Sequence, residues 1–291
     1  MCGIAGVIHR GKTSDIGSEM TSMLTALKHR GPDSTGFAVY GKPADNNNEF
    51  VMRFKVAEQE DLNKGSNILS TIAERRAAVN GRMAEHNAKI LTEVDATEYA
   101  YRYAFSFDGD DAALEKMTRY IEELEGAEIL SLGRGLELVK DLGDANVVSD
   151  QYGLKGFQGT HALGHTRMAT ESDVDIRSAH PYWAYPYNDI SVVHNGQITN
   201  YWIMRRQMEF KGHRFLSNCD SELLAVYTAD KLNDGYTLED SLRQSIEEID
   251  GVFTYVVATK DCLGMAKDTM AAKPMVLFES DDLVVLASEE G

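Results

Sequence analysis

The chain has 291 residues, enough for one large hydrophobic core or two small domains. Lys and Arg number 29 against 46 Asp and Glu, a formal charge of -17, which argues against nucleic-acid and anionic-membrane partners. Usage is that of a globular protein, 43% hydrophobic and 26% charged, with no apolar stretch near the ~20 residues of a membrane span and no signal-peptide pattern at the start, so a cytoplasmic protein is expected.

The chain opens on "MCGIAGVIHR", in which residues 3–8 read as a short buried strand. If Met1 is removed, Cys2 carries a thiol and a free α-amine on one carbon. Such an amine titrates at about 7.7–8.0, so it can act as a base beside a nucleophile. An ordinary first strand with a chance cysteine explains these ten residues at least as well. Residues 18–29 place Met20, Met23, Leu24 and Leu27 on one helical face, and "RGPDSTG" then breaks the helix. A strand follows at 36–41.

The segment 57–130 has another character. Its first part, 58–94, is polar and helical in pattern. "TEYAYRYAFSF" then alternates, with Tyr99, Tyr101, Tyr103, Phe105 and Phe107 on one strand face. Leu114, Met117, Ile121 and Leu124 follow at helical spacing, and "AEILSL" reads as a second strand. This is a small β-α-β unit without residues suited to catalysis. From 160 onward the strand signals are "HALGHTR", "ISVVHNG", "GVFTYVVAT", "PMVLF" and "LVVLAS", with helices expected at 199–211 and 220–232. Strands and helices that segregate in this way suggest an α+β layered core.

Three cysteines, Cys2, Cys219 and Cys262, are odd in number, widely spaced and form no CxxC pair, so neither a disulfide framework nor a zinc site is indicated. Cys219 and Cys262 read as inert core thiols, and Trp183 and Trp202 as packing residues. His29, His165, His180 and His194 could be drawn as a metal set, but their strand and loop contexts speak against it. There is no dinucleotide fingerprint. No metal and no cofactor are expected.

Four stretches stand out: "HRGPDSTG" (29–36), "GHTRMAT" (164–170), "VVHNGQITN" (192–200) and "SNCDSE" (217–222). Singly, each has a plain explanation. The first is rich in turn formers, Asn-Gly favours positive φ, and Asp220 could be a helix N-cap. Together, in this order and behind Cys2, they resemble the class II glutamine amidotransferase domain, a family of N-terminal-nucleophile hydrolases. The resemblance covers residues 2–41 and about 130–291 and is interrupted by the 57–130 segment, an insertion within a 2–291 domain. It is most like the stand-alone amidotransferase subunit of split glutamate-synthase-like enzymes. It implies a four-layer αββα sandwich of two mostly antiparallel sheets, with a small β-α-β insertion.

Hydrolysis of a carboxamide needs a nucleophile, a base, oxyanion donors and a grip on the substrate. Cys2 supplies the thiol and its α-amine the base. The resemblance puts the oxyanion hole at the Asn195 side chain and the Gly196 N–H. Arg167 fits the carboxylate of free glutamine, because a guanidinium fork binds it bidentately, and Asp220 fits the ammonium. Arg30 and Thr166 occupy matching motif positions and are carried with the substrate site as supports around it. Glu222 is read as structural, as is "AKDTMAAKP" (265–274), where relatives usually have Arg-Asp. Gln197 stands where many relatives have Glu, and Met168 where they have Tyr.

The resemblance implies conversion of glutamine to glutamate and ammonia through a γ-glutamyl thioester. The ammonia goes to separate synthase subunits, with which a flavin is compatible. Two other readings share the motifs: a hydrolase of another amide acting alone, and a non-catalytic glutamine-sensing subunit. The aromatic stripe of the insertion is expected to pack on the insertion's own helix, which leaves 58–94 as the candidate docking surface.

Overall fold

The computed structural model describes residues 2–63, 67–168, 176, 179–186 and 189–290. The chain divides into two compact units, Met1–Lys42 with Lys140–Gly291, and Pro43–Val139.

The larger unit begins with β1 (Gly3–His9), whose Ile4, Ala5 and Val7 are buried. After the short β2 (Ser14–Asp15), the Asp15 carboxylate accepts from Ser18 N–H at 3.1 Å and starts α1 (Ile16–Ala26). Ile16, Met20 and Leu24 recur every four residues and bury one face of that helix. The turn-forming "RGPDS" run follows, and β3 (Ser34–Gly41) carries the chain towards the smaller unit.

There the order is β4 (Glu49–Lys55), α2 (Ile68–Glu85), β5 (Lys89–Asp95), β6 (Ala100–Ser106), α3 (Asp111–Glu122) and β7 (Glu128–Gly133). The strands lie in the order β5-β6-β4-β7, all pairs antiparallel. This is the β-α-β-β-α-β arrangement of ferredoxin-like units. The β-α-β expected between 97 and 130 is its second half, and β4, α2 and β5 complete it. Tyr99, Tyr101, Tyr103, Phe105 and Phe107 are all buried, together with Ile72, Val79 and Met83 of α2 and Leu114, Met117 and Ile121 of α3. The stripe therefore packs inside its own unit. Arg76 of α2 lies 4.3 Å from the Tyr101 ring centroid and donates to the Tyr103 hydroxyl at 2.9 Å. Burial alone would push the Glu137 carboxyl up, but Arg53 and Arg102, each at 2.7–2.8 Å, hold it below the usual range. A charge buried in this way is tolerated because it is paired and hydrogen-bonded. The 58–94 stretch supplies α2 and the exposed edge strand β5.

The chain returns through β8 (Leu136–Leu142) to α4 (Ala145–Gln151), which is capped by Asp144 accepting from Asn146 and Val147 N–H. The rest is β9 (Gln158–Arg167), β10 (Tyr182–Trp183), β11 (Ser191–Ile198), α5 (Tyr201–Phe210), α6 (Asp220–Asn233), α7 (Leu238–Glu248), β12 (Gly251–Ala258), β13 (Leu263–Lys267), β14 (Val276–Glu279) and β15 (Leu283–Ala287).

One sheet runs β14-β15-β1-β9-β3-β8, with β2 added to β9, and the other runs β10-β11-β12-β13. The first packs against the second where β9 and β1 meet β11, β12 and β13. Tyr40 of the first sheet hydrogen-bonds Ser191 Oγ at 2.7 Å and the Ala258 carbonyl at 3.0 Å in the second. His161 reaches the Thr259 carbonyl at 2.8 Å in the same way. Polar groups between the layers are thereby satisfied. Helices α1 and α4 cover the outer face of the first sheet; α6 and α7 cover the second, and α5 packs on α6. Residues 221–230 of α6 are buried on every side, as befits a helix inside a core. The layers are αββα, as expected. Among the described residues no helix is long and apolar enough to cross a membrane.

Candidate active site

Register brings the motifs together. Gly3 pairs with Thr166 across β1 and β9, and Ser34 with Arg167 across β3 and β9. The "RGPDS" turn lies against the backbone of Arg167. A Cβ on Gly31 would sit 2.4 Å from the Arg167 carbonyl carbon, so only glycine permits the approach. Cys2, just ahead of β1, is held by three elements. Its carbonyl accepts from Asn195 Nδ2 at 3.0 Å and from Arg30 Nε at 3.2 Å. Its Sγ accepts from Met168 N–H at 3.5 Å.

Asn195 and Gly196 lie within β11, opposite Thr254 and Phe253. Gly196 has φ +144°, and a Cβ there would lie 2.0 Å from the Val252 carbonyl oxygen. The Asn-Gly pair is thus part of a strand and not a turn, and the glycine is obligatory. Asp220 is not the N-cap of α6. Cys219 holds that position with no side-chain cap bond, and Asp220 Oδ2 accepts from Ile198 N–H at 2.9 Å, pinning the start of α6 to the end of β11. Glu222, two residues on, accepts from Leu216 N–H, Ser217 N–H and Ser217 Oγ at 2.6–2.7 Å and fixes the preceding loop. Its structural reading fits this geometry.

Cys2, Arg167, Asn195, Gly196 and Asp220 all line one cavity of about 390 Å³. A free amino acid fits such a volume. Thr166 and Arg30 stand elsewhere. Thr166 is buried beside Gly3 and Leu27, and the Arg30 guanidinium spans the Cys2 carbonyl and Glu289 Oε2, at 2.7 Å from the latter. Arg30 braces the Cys2 carbonyl, and Thr166 packs against Gly3, the next residue. Asp268 of "AKDTMAAKP" accepts from Phe253, Met270 and Ala271 N–H and serves the fold.

Two readings from the sequence need correction. Cys262 is exposed and is no core thiol, and Trp202 of α5 is 61% exposed and is no packing residue. An aromatic beside an apolar helix face reads as core from periodicity alone, which cannot distinguish the two sides of a short helix. Trp183 does pack, 5.3 Å edge-on to Tyr185.

Sequence reasoning considered the histidines only as metal ligands. His29 is apart from the others, 2.5 Å from Glu289 Oε1. His165, His180 and His194 share the wall of the cavity. The signal available beforehand was adjacency: His165 stands next to Thr166-Arg167 and His194 next to Asn195. Burial drives the His165 imidazole down to about 3, and drives His180 and His194 down as well, against the pull of Asp220 on His194. All three are neutral near pH 7. Their folded values lie below the ~6.5 of an unfolded histidine, so the unfolded chain takes up protons that the native state refuses. Stability should therefore fall as pH drops below ~6.5, by about 1.4 kcal/mol per pH unit for a histidine such as His165. Urea unfolding between pH 7.5 and 5.5 checks this, and His180→Gln should make the slope shallower.

Residues 165–291 match the family described as "Glutamine amidotransferase domain". The chain is 39% identical, over all of its length and 92% of the relative's, to a Methanothermobacter thermautotrophicus protein whose name assigns it provisionally to the glutamine amidotransferases. It is 30% identical over 99% of its length and 89% of the relative's to the glutamine amidotransferase-like protein GlxB of Rhizobium meliloti. Among solved structures it is similar to the allosteric regulatory enzyme of purine biosynthesis, with TM-score 0.59 and 18% identity over 99% of this chain and 42% of that one. The chain thus spans about two-fifths of that solved chain, and the likeness is one of fold. An identity of 39% over nearly the whole of a relative is a likeness of family, and this chain belongs to the glutamine amidotransferases, with the N-terminal-nucleophile hydrolase fold of their class II.

Proposed function

We propose that the chain hydrolyses glutamine to glutamate and ammonia. The observation that carries the reading is the sharing of one cavity by Cys2, Arg167, Asn195, Gly196 and Asp220. With Met1 removed, the α-amine of Cys2 takes the Sγ proton through a water. The thiolate attacks the carboxamide carbon, and the oxyanion is held by Asn195 Nδ2 and Gly196 N–H. Oriented donors of this kind contribute roughly 10²–10³ in rate. The amine returns the proton to the leaving nitrogen, ammonia departs, and a γ-glutamyl thioester remains. Water attacks it by the same route and frees glutamate and the thiol.

Arg167 takes the substrate carboxylate and Asp220 the ammonium, so the site selects a free amino acid and not any amide. An analogue lacking either charge would forfeit one of these two charge-assisted contacts. Ammonia released to water is lost, and we propose that it passes instead to a separate synthase subunit of the glutamate-synthase-like kind, in the cytoplasm.

The test is a substrate panel with purified protein. Glutamine should give ammonia and glutamate one to one, while asparagine and glutaramide give little. Equal turnover of glutaramide would favour an amidase of other substrates. Glutamine binding without ammonia release would favour a sensor.

A further inference from the structure

The buried histidines admit only one arrangement of protons. The N–H of His194 donates to His180 Nδ1 at 3.3 Å. A backbone N–H can only donate, so His180 carries its proton on Nε2. Asn195 Nδ2 donates to the Cys2 carbonyl at 3.0 Å, which turns Asn195 Oδ1 towards His165 Nε2 at 3.4 Å. His165 must then be protonated at Nε2, and its buried Nδ1 has no partner. His194 Nδ1 lies 2.8 Å from Ser221 Oγ, and Ser221 Oγ lies 3.3 Å from Asp220 Oδ1. The carboxylate can only accept, so Ser221 donates to Asp220 and receives the proton of His194 Nδ1. The buried Nε2 of His194 is bare and without a partner. The ring of His180 lies between the other two, with centroids 4.2 Å from His165 and 6.4 Å from His194.

We propose that His165 and His194 are positioning residues: His165 locks the Asn195 amide in the facing that the Cys2 carbonyl selects, and His194, through Ser221, sets the Asp220 carboxylate. The proposal rests on the glutamine-hydrolysis reading above. An Asn amide has two N–H groups. One is spent on the Cys2 carbonyl, and the second remains for the oxyanion. A flipped amide would set its oxygen against both the Cys2 carbonyl and the oxyanion. The Cys2 carbonyl selects this facing and His165 Nε2–H is its second anchor; without that donor the Asn195 oxygen loses its partner and the amide is held at one point. The two arms act on different steps, His165 on the transition state and His194 on the grip of the ground state, with His180 holding them in one array.

His165→Leu removes the donor at similar volume. It should lower kcat for glutamine by about tenfold or more, a fraction of the full loss of an oxyanion donor, while KM stays within a few-fold. His165→Gln can donate again and should recover most of kcat. Ser221→Ala should raise KM and leave kcat nearly intact. Imidazole ¹⁵N spectra of the unmodified protein near pH 7 give a readout independent of activity: His165 and His180 should be Nε2–H tautomers and His194 an Nδ1–H tautomer. Equal kcat in the leucine and glutamine variants, or the opposite tautomer at His165, overturns the proposal. If the leucine variant does not fold, the glutamine variant and the tautomers decide. If the unmodified protein releases no ammonia from glutamine, the functional reading fails, and the tautomers alone then decide the positioning claim.

Discussion

Cys2→Ala is expected to abolish ammonia release from glutamine, by a factor on the order of 10⁴ or more, because removal of a nucleophile closes the covalent route altogether. Unfolding should change little, since the contacts Cys2 makes to Asn195 and Arg30 run through its backbone carbonyl, which alanine keeps, and only the long Met168 N–H bond to Sγ is lost. A glutamine-like electrophile should label Cys2 and neither of the other cysteines. Burial pushes the Cys219 thiol up, and burial together with Asp261 pushes up Cys262, so both are poor thiolates near pH 7. The mass of the active protein should lack Met1, since the base proposed here is the amine of Cys2 itself. Labelling at Cys219, or activity in the alanine variant, would show that the chemistry lies elsewhere.

The site was legible in the sequence where chemistry dictates residue type. Asn195, Gly196, Arg167 and Asp220 were each weak signals, but their order behind Cys2 was specific, and the fold gathers all of them at one cavity. What a pattern could not supply was the direction of a side chain. Asp220 reads as an N-cap in isolation; the structure gives that place to Cys219 and sends the carboxylate to Ile198 N–H. Arg30 reads equally as substrate ligand or support, and only its bonds to the Cys2 carbonyl and Glu289 distinguish the two. His165, His180 and His194 stand 14–15 residues apart, and nothing in their spacing says that two strands and a loop bring their rings together.

In the fold, elements with a one-sided apolar pattern were readable, such as α1 and the aromatic stripe of β6. Strand β5 was not, because it is an exposed edge with a polar sequence, "KILTEVD", that carries no inward face. Helix α4 is only seven residues long and is made mainly by the Asp144 cap. Short or weakly buried elements leave too little periodicity to be seen. Helix α7, by contrast, does carry a one-sided pattern, Leu238 and Leu242 packing on the core, and was readable but not read.

Arg167→Lys and Asp220→Asn are expected to raise KM for glutamine by about 10- to 100-fold each, the cost of one charge-assisted contact to substrate. The two residues come from different layers: Arg167 ends β9 in the first sheet, and Asp220 begins α6 behind the second. Their separation in the fold is what lets them hold opposite ends of one small molecule. Lysine keeps the charge at 167 but loses the fork, so the carboxylate is held at one point instead of two. Asparagine at 220 can still accept from Ile198 N–H through Oδ1, so the pinning of α6 survives while the negative charge is lost. Because both act on binding and neither on the thiol, a small neutral electrophile should alkylate Cys2 in each variant at the rate seen in the unmodified protein. The double variant should lose less than the product of the single effects, since both residues serve one bound substrate. Normal KM in both single variants would remove the argument that this cavity recognises a free amino acid.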